Sequence, residues 1–164
     1  MSFAAAILAL VTAQRLIEAA RARVNTRRLL AVGAVEIGSG HYWPLIALHA
    51  AWLAGLWVLA PDAAVSLPWL GAYLALQAGR GWILWTLGRR WTTRIVVVPG
   101  ETLVAAGPYR FVKHPNYAVL AAEVAVLPLV FGLWLYAAAF ALLNAAMLAW
   151  RIREEDRALA GLRR

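Results

Sequence analysis

The chain has 164 residues, of which 63% are hydrophobic and only 15% are charged. Soluble domains have about half apolar and about a quarter charged residues, so the composition predicts an integral membrane protein forming a single domain over residues 1–164. The absence of cysteine excludes disulfides, thiolate metal sites and a cysteine nucleophile. The net charge of +8 fits basic residues at an anionic membrane surface better than a nucleic-acid partner.

Five apolar stretches predict an all-α polytopic membrane bundle of about five transmembrane helices, since each crossing takes about 20 residues. In chain order they cover residues 2–20, 42–60, 68–88, 116–131 and 133–150, and the last continues as a polar helix to 162. The very short connection between the last two predicts a tight antiparallel hairpin. The soluble segment 89–113 contains the β-rich run "RIVVV", then Pro-Gly and Gly-Pro turns.

The basic residues predict an orientation for this bundle. Fourteen of the sixteen Lys and Arg residues follow the first, third or fifth stretch, and the connections 61–67 and 131–133 contain none. The positive-inside rule makes the basic face cytoplasmic. The N-terminus is therefore expected outside and the C-terminus inside, as an odd number of spans requires.

Seven ionisable side chains interrupt or border the apolar stretches, where such groups tend to face a bundle interior or a cavity. They are Arg15, Glu18, Glu36, His41, His49, Arg80 and Glu123. Simple pairing is the alternative for Arg15 with Glu18, and for Arg80 with Glu123. Headgroup contact is the alternative for His41. Together the seven predict a polar cavity inside the bundle.

Other chemistry has less support in the sequence. The three histidines lack the short spacing that zinc ligands favour, so no metal site is expected. Most tryptophans fall near predicted span ends, as an aromatic belt requires. Trp52, Trp82 and Trp85 lie further in, where they either pack or line an apolar ligand tunnel.

Two motifs resemble a known family. "GPYRFVKHPNY" (107–117) and "RIREEDRAL" (151–159) are similar to the paired motifs of the isoprenylcysteine carboxyl methyltransferase family of membrane enzymes. The resemblance covers about 82–162. The segment "VEIGSGHYWPLIALH" (35–49) resembles, more narrowly, a bacterial subgroup that O-methylates long-chain alkylpyrone or alkylresorcinol-type polyketides.

The resemblance implies an S-adenosylmethionine-dependent O-methyltransferase in a bacterial inner membrane, with its site facing the cytoplasm and S-adenosylhomocysteine as the second product. The acidic motif would receive the cofactor's ammonium or ribose, and the basic loop would hold its carboxylate. Pro115 excludes the helical conformation for the residue before it and keeps the loop extended. The implied cofactor-binding residues are Tyr109, Arg110, Lys113, His114, Pro115, Tyr117, Glu154 and Glu155.

Methyl transfer is a direct displacement that needs alignment above all. A carboxylate or acidic enol would need no strong base, whereas a phenol would benefit from one, for which Glu36, His41, His49 and Glu123 are candidates. Arg151 would steady the acceptor oxyanion. The candidate catalytic residues are Arg151, Glu155, His49 and Glu123. The candidate residues for the lipophilic substrate are Glu36, His41, His49, Trp52, Trp85 and Arg151.

Two other classes of function remain open at this point. Related membrane sterol and steroid reductases, which use NADPH, share the His-Pro-Asn-Tyr region, but their following glutamate is Leu120 here. A non-enzymatic membrane scaffold is the third class, with the buried polar residues forming a conduction path. Binding of S-adenosylhomocysteine or of NADPH discriminates among the three.

Overall fold

The computed structural model describes residues 1–37, 40, 42–102 and 104–160, with the backbone alone for 158–160, so His41 lies outside the described residues. The described residues form five α-helices, which confirms the predicted all-α class. Their bounds are α1 Phe3–Ala31, α2 Tyr42–Leu59, α3 Leu67–Leu87, α4 Pro115–Val130 and α5 Trp134–Ala160. Two short strands, β1 Val35–Ile37 and β2 Ile95–Val97, complete the fold.

Three of the described helices are long and apolar enough to cross a membrane, namely α1, α2 and the part of α5 from 134 to 157. Helix α4 is apolar but shorter, and α3 carries two strongly polar residues, Gln77 and Arg80. Large apolar side chains such as Val58 and Leu135 are exposed on the outside of the bundle. An apolar exterior is what a lipid environment requires.

Helix α4 packs between α3 and α5. The predicted hairpin is present, because α4 ends at Val130, Gly132 has a φ of 71°, and α5 begins at Trp134. Glycine suits this turn because a positive φ is costly for residues with a Cβ. The same end of the bundle also joins the start of α1 to the connection after α2, through the Ser2 hydroxyl and the Pro61 carbonyl.

The first helix extends well beyond the apolar stretch that the sequence shows. It continues through four arginines to Ala31, because arginine is a good helix former and only the apolar character ends near residue 20. Asn25, in this extension, donates from Nδ2 to the Trp91 carbonyl at 2.8 Å. The bond fixes the polar part of α1 against the segment that follows α3.

The β-rich run forms a two-stranded antiparallel ribbon with the segment after α1. Glu36 pairs with Val96 in register. The Glu36 carboxylate also accepts from Arg94 at 2.7 Å, and the Arg94 guanidinium lies 4.2 Å from the centre of the Tyr42 ring. The ribbon is thereby fixed to the start of α2. We call this end of the bundle the basic end; it contains the C-terminal ends of α1, α3 and α5 and the N-terminal ends of α2 and α4.

An apolar core fills the opposite end of the bundle. It includes Leu8, Trp52, Leu56 and Leu127, all nearly or fully buried. Burial of side chains of this size stabilises a fold by about 1.5–3 kcal/mol each in water. Inside a bilayer that gain is smaller, and close packing contributes more.

Between the apolar core and the basic end lies a cluster of four charged residues, which we call the core ion cluster: Arg15, Glu18, Arg80 and Glu123. Arg80 donates to Glu18 from Nη2 at 2.7 Å and to Glu123 from Nη1 at 2.9 Å. Arg15 donates to the same two carboxylates, at 3.3 and 2.9 Å. Both pairings that the sequence allowed therefore occur, within one neutral network that joins α1, α3 and α4.

Candidate functional site

Two cavities open between the core ion cluster and the basic end. The polar cavity, with a volume of about 190 Å³, lies between the strand β2, the loop that leads into α4, and the end of α5. The inner cavity, with a volume of about 180 Å³, is lined by residues of all five helices and of the segment 91–93. Both are lined by Trp91, Thr92, Asn116, Tyr117 and Arg151. The two cavities therefore meet at these five side chains.

The loop before α4 takes its shape from a glycine and a proline. Gly107 has a φ of 56°, and a Cβ at this position would collide with the Thr86 hydroxyl on α3. Only glycine therefore allows the loop to pack this closely against α3. Pro115 begins α4 at its first turn, where the missing N–H is tolerated, and His114 precedes it with a φ of −128° and a ψ of 62°, outside the helical region.

Arg151 is the buried centre of the site. Its Nε donates to the Tyr117 hydroxyl at 2.8 Å and its Nη2 donates to the Thr93 carbonyl at 2.6 Å. Its Nη1 is buried and has no hydrogen-bond partner among the described residues. A buried guanidinium with a free donor is costly to leave unpaired, so this atom is suited to an oxygen of a ligand.

Tyr117 connects Arg151 to the acidic motif. Its hydroxyl accepts from Arg151 and donates to Glu155 in a short hydrogen bond. Its ring stacks on His114, with ring centres 5.6 Å apart and planes 24° from parallel. The histidine, the tyrosine, the arginine and the glutamate form one connected wall, and all four line the polar cavity.

His114 is positioned by the acidic residue after Glu155. Its Nε2 donates to Asp156 Oδ1 at 3.2 Å, and its Nδ1 lies 3.9 Å from Glu155. Lys113 forms an ion pair with the same Asp156 oxygen at 2.6 Å. The loop and the end of α5 are thus joined by charged contacts, and Asp156 is a positioning residue that sequence reasoning missed, although it lies inside the quoted motif.

Tyr109 adds a hydroxyl to the polar cavity. Burial and the nearby negative charge of Glu155 raise the pKa of this phenol above its usual range. The hydroxyl therefore stays protonated at neutral pH and is available as a hydrogen-bond donor or acceptor.

The structure brings together six of the sequence-predicted residues: Tyr109, His114, Tyr117, Arg151 and Glu155 in the polar cavity, and His49 in the inner cavity. Arg110 is exposed, with its guanidinium 5.7 Å from the centre of the Phe111 ring. Glu154 pairs with Arg157 at 2.8 Å and lines neither cavity.

Four further candidate residues lie elsewhere in the structure. Glu123 is fully buried in the core ion cluster, where Gln77 and two arginines already occupy its oxygens. Trp52 packs in the apolar core, and Trp85 is 87% exposed on the outside of α3. Glu36 is paired with Arg94 on the ribbon. Glu36, Trp52 and Glu123 are held by packing or pairing elsewhere and Trp85 faces outward, so none of the four lines either cavity.

Several lining residues were not predicted from the sequence. Trp91, Thr92 and Thr93 reach the cavities because the segment after α3 turns back across the bundle. Trp91 Nε1 is buried without a hydrogen-bond partner in the part of the chain that the structure describes. The sequence offered a β-rich signal just downstream but no pattern that marks these three positions.

Comparison with known proteins gives a consistent result. Residues 69–161 match the model of the isoprenylcysteine carboxyl methyltransferase (ICMT) family. Over 158 residues the chain is 40% identical to the uncharacterized protein YpbQ of Bacillus subtilis (strain 168), an alignment that covers 93% of this chain and 94% of that relative. No solved structure matches the chain. The matched region contains both motifs, the loop before α4 and the end of α5.

Proposed function

The chain belongs to the isoprenylcysteine carboxyl methyltransferase family, and from this premise we propose that it transfers a methyl group from S-adenosylmethionine to an oxygen atom of a lipophilic acceptor. The whole chain acts as one membrane-embedded domain, and residues from about 82 to 162 form its catalytic half. The cofactor occupies the polar cavity and the acceptor occupies the inner cavity.

The observation that carries the proposal is the sharing of Tyr117 and Arg151 by the two cavities. A transfer enzyme must bring a polar donor molecule and an apolar acceptor to one point. Here the polar cavity is bordered by Arg90, His114 and Glu155 of the basic end. The inner cavity touches the core ion cluster on one side and is bordered by the apolar Leu45, Ile46 and Leu120 on the other. Arg151 lies where the two meet.

The residues of the polar cavity fit S-adenosylmethionine. Glu155 offers a carboxylate for the cofactor's ammonium group, and His114 and Arg90 line the same cavity and would hold its carboxylate. Tyr109 offers a protonated hydroxyl for a ribose or adenine atom. A mixed set of acidic, basic and aromatic side chains suits a ligand that itself carries both charges and an aromatic base.

The mechanism requires little chemistry from the protein beyond alignment. When bound, S-adenosylmethionine supplies an electrophilic methyl group. Arg151 holds the acceptor oxygen through its free Nη1, while Tyr117 and the Thr93 carbonyl fix the direction of the guanidinium. Trp91 and the Tyr117 ring, both buried, exclude water from the point of transfer. Fixing two reactants in line is the largest effect available to such a reaction.

The acceptor is a long-chain alkylpyrone or a phenolic lipid, with a prenylated carboxylate as the second possibility. Ile46, which lines the inner cavity, is 39% exposed on the outside of the bundle, so an apolar chain has a route in from the bilayer. The basic end faces the cytoplasm of a bacterial inner membrane, where the water-soluble cofactor is available.

A transfer assay tests this function directly. Purified protein in lipid vesicles is incubated with S-adenosylmethionine labelled in its methyl group and, separately, with a long-chain alkylpyrone, a long-chain alkylphenol or a prenylated cysteine. We expect label in the lipid extract with at least one acceptor and none with vesicles that lack the protein. No labelled lipid from the whole panel would contradict the proposal.

A further inference from the structure

A histidine on α2 has one ring nitrogen committed and one free. His49 Nδ1 lies 2.8 Å from the carbonyl oxygen of Leu45, one helical turn earlier. A carbonyl oxygen only accepts hydrogen bonds, so Nδ1 carries the proton. Nε2 is buried and lacks a hydrogen-bond partner among the described residues. In the neutral ring, Nε2 therefore presents a bare lone pair.

This histidine lines the inner cavity together with several charged or titratable side chains. They are Arg15 and Glu18 from α1, Tyr42 from α2, Arg80 from α3, Tyr117 from α4 and Arg151 from α5. The first two arginines are paired within the core ion cluster. Tyr117 is bonded to Arg151 and Glu155. Among the described residues, the buried side-chain atoms of this lining that lack a hydrogen-bond partner are an acceptor, His49 Nε2, and two donors, Arg151 Nη1 and Trp91 Nε1.

His49 and Arg151 line the same cavity, so a hydroxyl group bound between them would satisfy both atoms, whereas a carboxylate would not. The hydroxyl would donate its proton to His49 Nε2, and its oxygen would accept from Arg151 Nη1. A carboxylate accepts from Arg151 but sets its own lone pairs against the bare Nε2. A buried acceptor that a ligand leaves unsatisfied costs about 1–3 kcal/mol.

We infer that His49 is the general base of the reaction and that the acceptor is a weakly acidic hydroxyl, a phenol or an enol. The inference rests on the proposed function. The O–H bond of the acceptor breaks and its proton passes to Nε2, while the oxygen forms a bond to the methyl carbon. The methyl–sulfur bond breaks with its electron pair left on sulfur. The products are a methyl ether and S-adenosylhomocysteine, and the imidazolium then releases its proton to water.

A binding experiment without the cofactor tests the proton transfer itself. The probe is a long-chain nitrophenol, because only its ionised form absorbs visible light. Titrated from pH 5 to 8 in detergent, the probe bound to the unchanged protein is expected to ionise about one pH unit lower than the probe bound to His49→Asn. The asparagine amide retains a donor for the Leu45 carbonyl and removes the base, so the helix keeps its hydrogen bond.

A kinetic experiment distinguishes a base from a structural role. With a long-chain alkylphenol, which is not ionised at neutral pH, we expect His49→Asn to transfer methyl groups ~100-fold more slowly. With the nitrophenol at a pH where it is already ionised, we expect the same variant to keep most of its methyl-transfer rate, because no proton has to be removed. His49→Gln serves as a second variant, and S-adenosylhomocysteine affinity and the melting temperature show that each remains folded.

His114→Gln is the matched control, since it alters the histidine of the polar cavity. We expect it to weaken binding of the cofactor and to leave the ionisation of the bound nitrophenol unchanged. Equal rate losses with both acceptors, or identical ionisation curves for the unchanged protein and His49→Asn, would overturn the inference. Failure of the unchanged protein to methylate any acceptor would overturn the proposed function instead, and the binding curves would still report on His49.

Discussion

Two polar regions of the same bundle differ in how completely their charges are paired. In the core ion cluster, the carboxylates of Glu18 and Glu123 each accept from two arginines and from one glutamine. The glutamine is Gln14 for Glu18 and Gln77 for Glu123. In the lining of the two cavities, which we call the open region, Arg151 and Trp91 by contrast leave buried donors, and His49 a buried acceptor, without partners among the described residues.

The difference separates stabilisation from ligand binding. A buried network with every charge paired and every oxygen occupied has nothing left to offer a ligand, and it holds three helices in register. A region of similar burial with unpartnered atoms is stable only at a cost, which a ligand of complementary chemistry removes. Position in the bundle alone would not have distinguished the two regions.

Disrupting the core ion cluster should lower the stability of the fold, and this is the largest effect we expect. Glu123→Ala leaves Arg15 and Arg80 with a single carboxylate between them in a buried site, and loss of one partner of such a pair costs about 3–5 kcal/mol. We expect a much lower melting temperature in detergent and a poor yield of folded protein. Glu154→Ala is the control, because that residue pairs with exposed Arg157. Equal melting temperatures for the two variants would mean that the cluster does not stabilise the fold.

Changing the open region should affect turnover rather than folding. Arg151→Lys keeps a positive charge but loses the planar group that bonds Tyr117, Thr93 and the acceptor oxygen together. We expect a loss of ~100-fold in the methyl-transfer rate at saturating acceptor. Arg153→Lys, an exposed neighbour on the same helix, should change nothing. A normal rate in the first variant would remove Arg151 from its assigned role.

The sequence predicted the first of these regions better than the second. The spacing of Arg15 and Glu18, and the opposite charges in α3 and α4, gave pairing as the alternative to a polar cavity, and both pairs are present. The helix bounds also followed from apolar runs, except where α1 continued through its arginines. The strand partner at Val35–Ile37 was too short to show a period, and the pairing joins segments far apart in the chain.

The unpartnered atoms could not be predicted from the sequence at all. That His49 is free at Nε2 depends on its bond to Leu45 and on the absence of a partner from neighbouring helices, which is a property of packing. Trp52 and Glu123 show the same limit in the opposite direction. Both looked suited to a ligand site, yet packing placed one in the apolar core and the other in the core ion cluster.

A smaller effect, on the affinity for the cofactor, is expected from a change in the polar cavity. Glu155→Gln removes the charge that faces the polar cavity while keeping an acceptor for the Tyr117 hydroxyl. We expect about tenfold weaker binding of S-adenosylhomocysteine, which corresponds to about 1.4 kcal/mol. Calorimetry measures it, with the melting temperature as a check of folding. Unchanged affinity in the folded variant would exclude Glu155 from the cofactor site.

The smallest effect on cofactor affinity should come from a change at the exposed edge of the loop before α4. Lys113 is 48% exposed and pairs with Asp156, and exposed pairs of this kind contribute about 0–1 kcal/mol. We expect Lys113→Met to change S-adenosylhomocysteine affinity less than the Glu155→Gln change does. If instead it weakened binding more, the lysine would contact the cofactor directly and the polar cavity would extend further toward the loop than Asp156.

The central claim, that the polar cavity binds S-adenosylmethionine, is tested most directly by titration calorimetry on the detergent-solubilised protein. S-adenosylhomocysteine is titrated first and NADPH second, under the same conditions. The account predicts saturable heat with S-adenosylhomocysteine at one site per chain and none with NADPH. Saturable heat with NADPH alone would contradict it and favour a reductase, and no heat with either would leave the cavity without the cofactor on which the account depends.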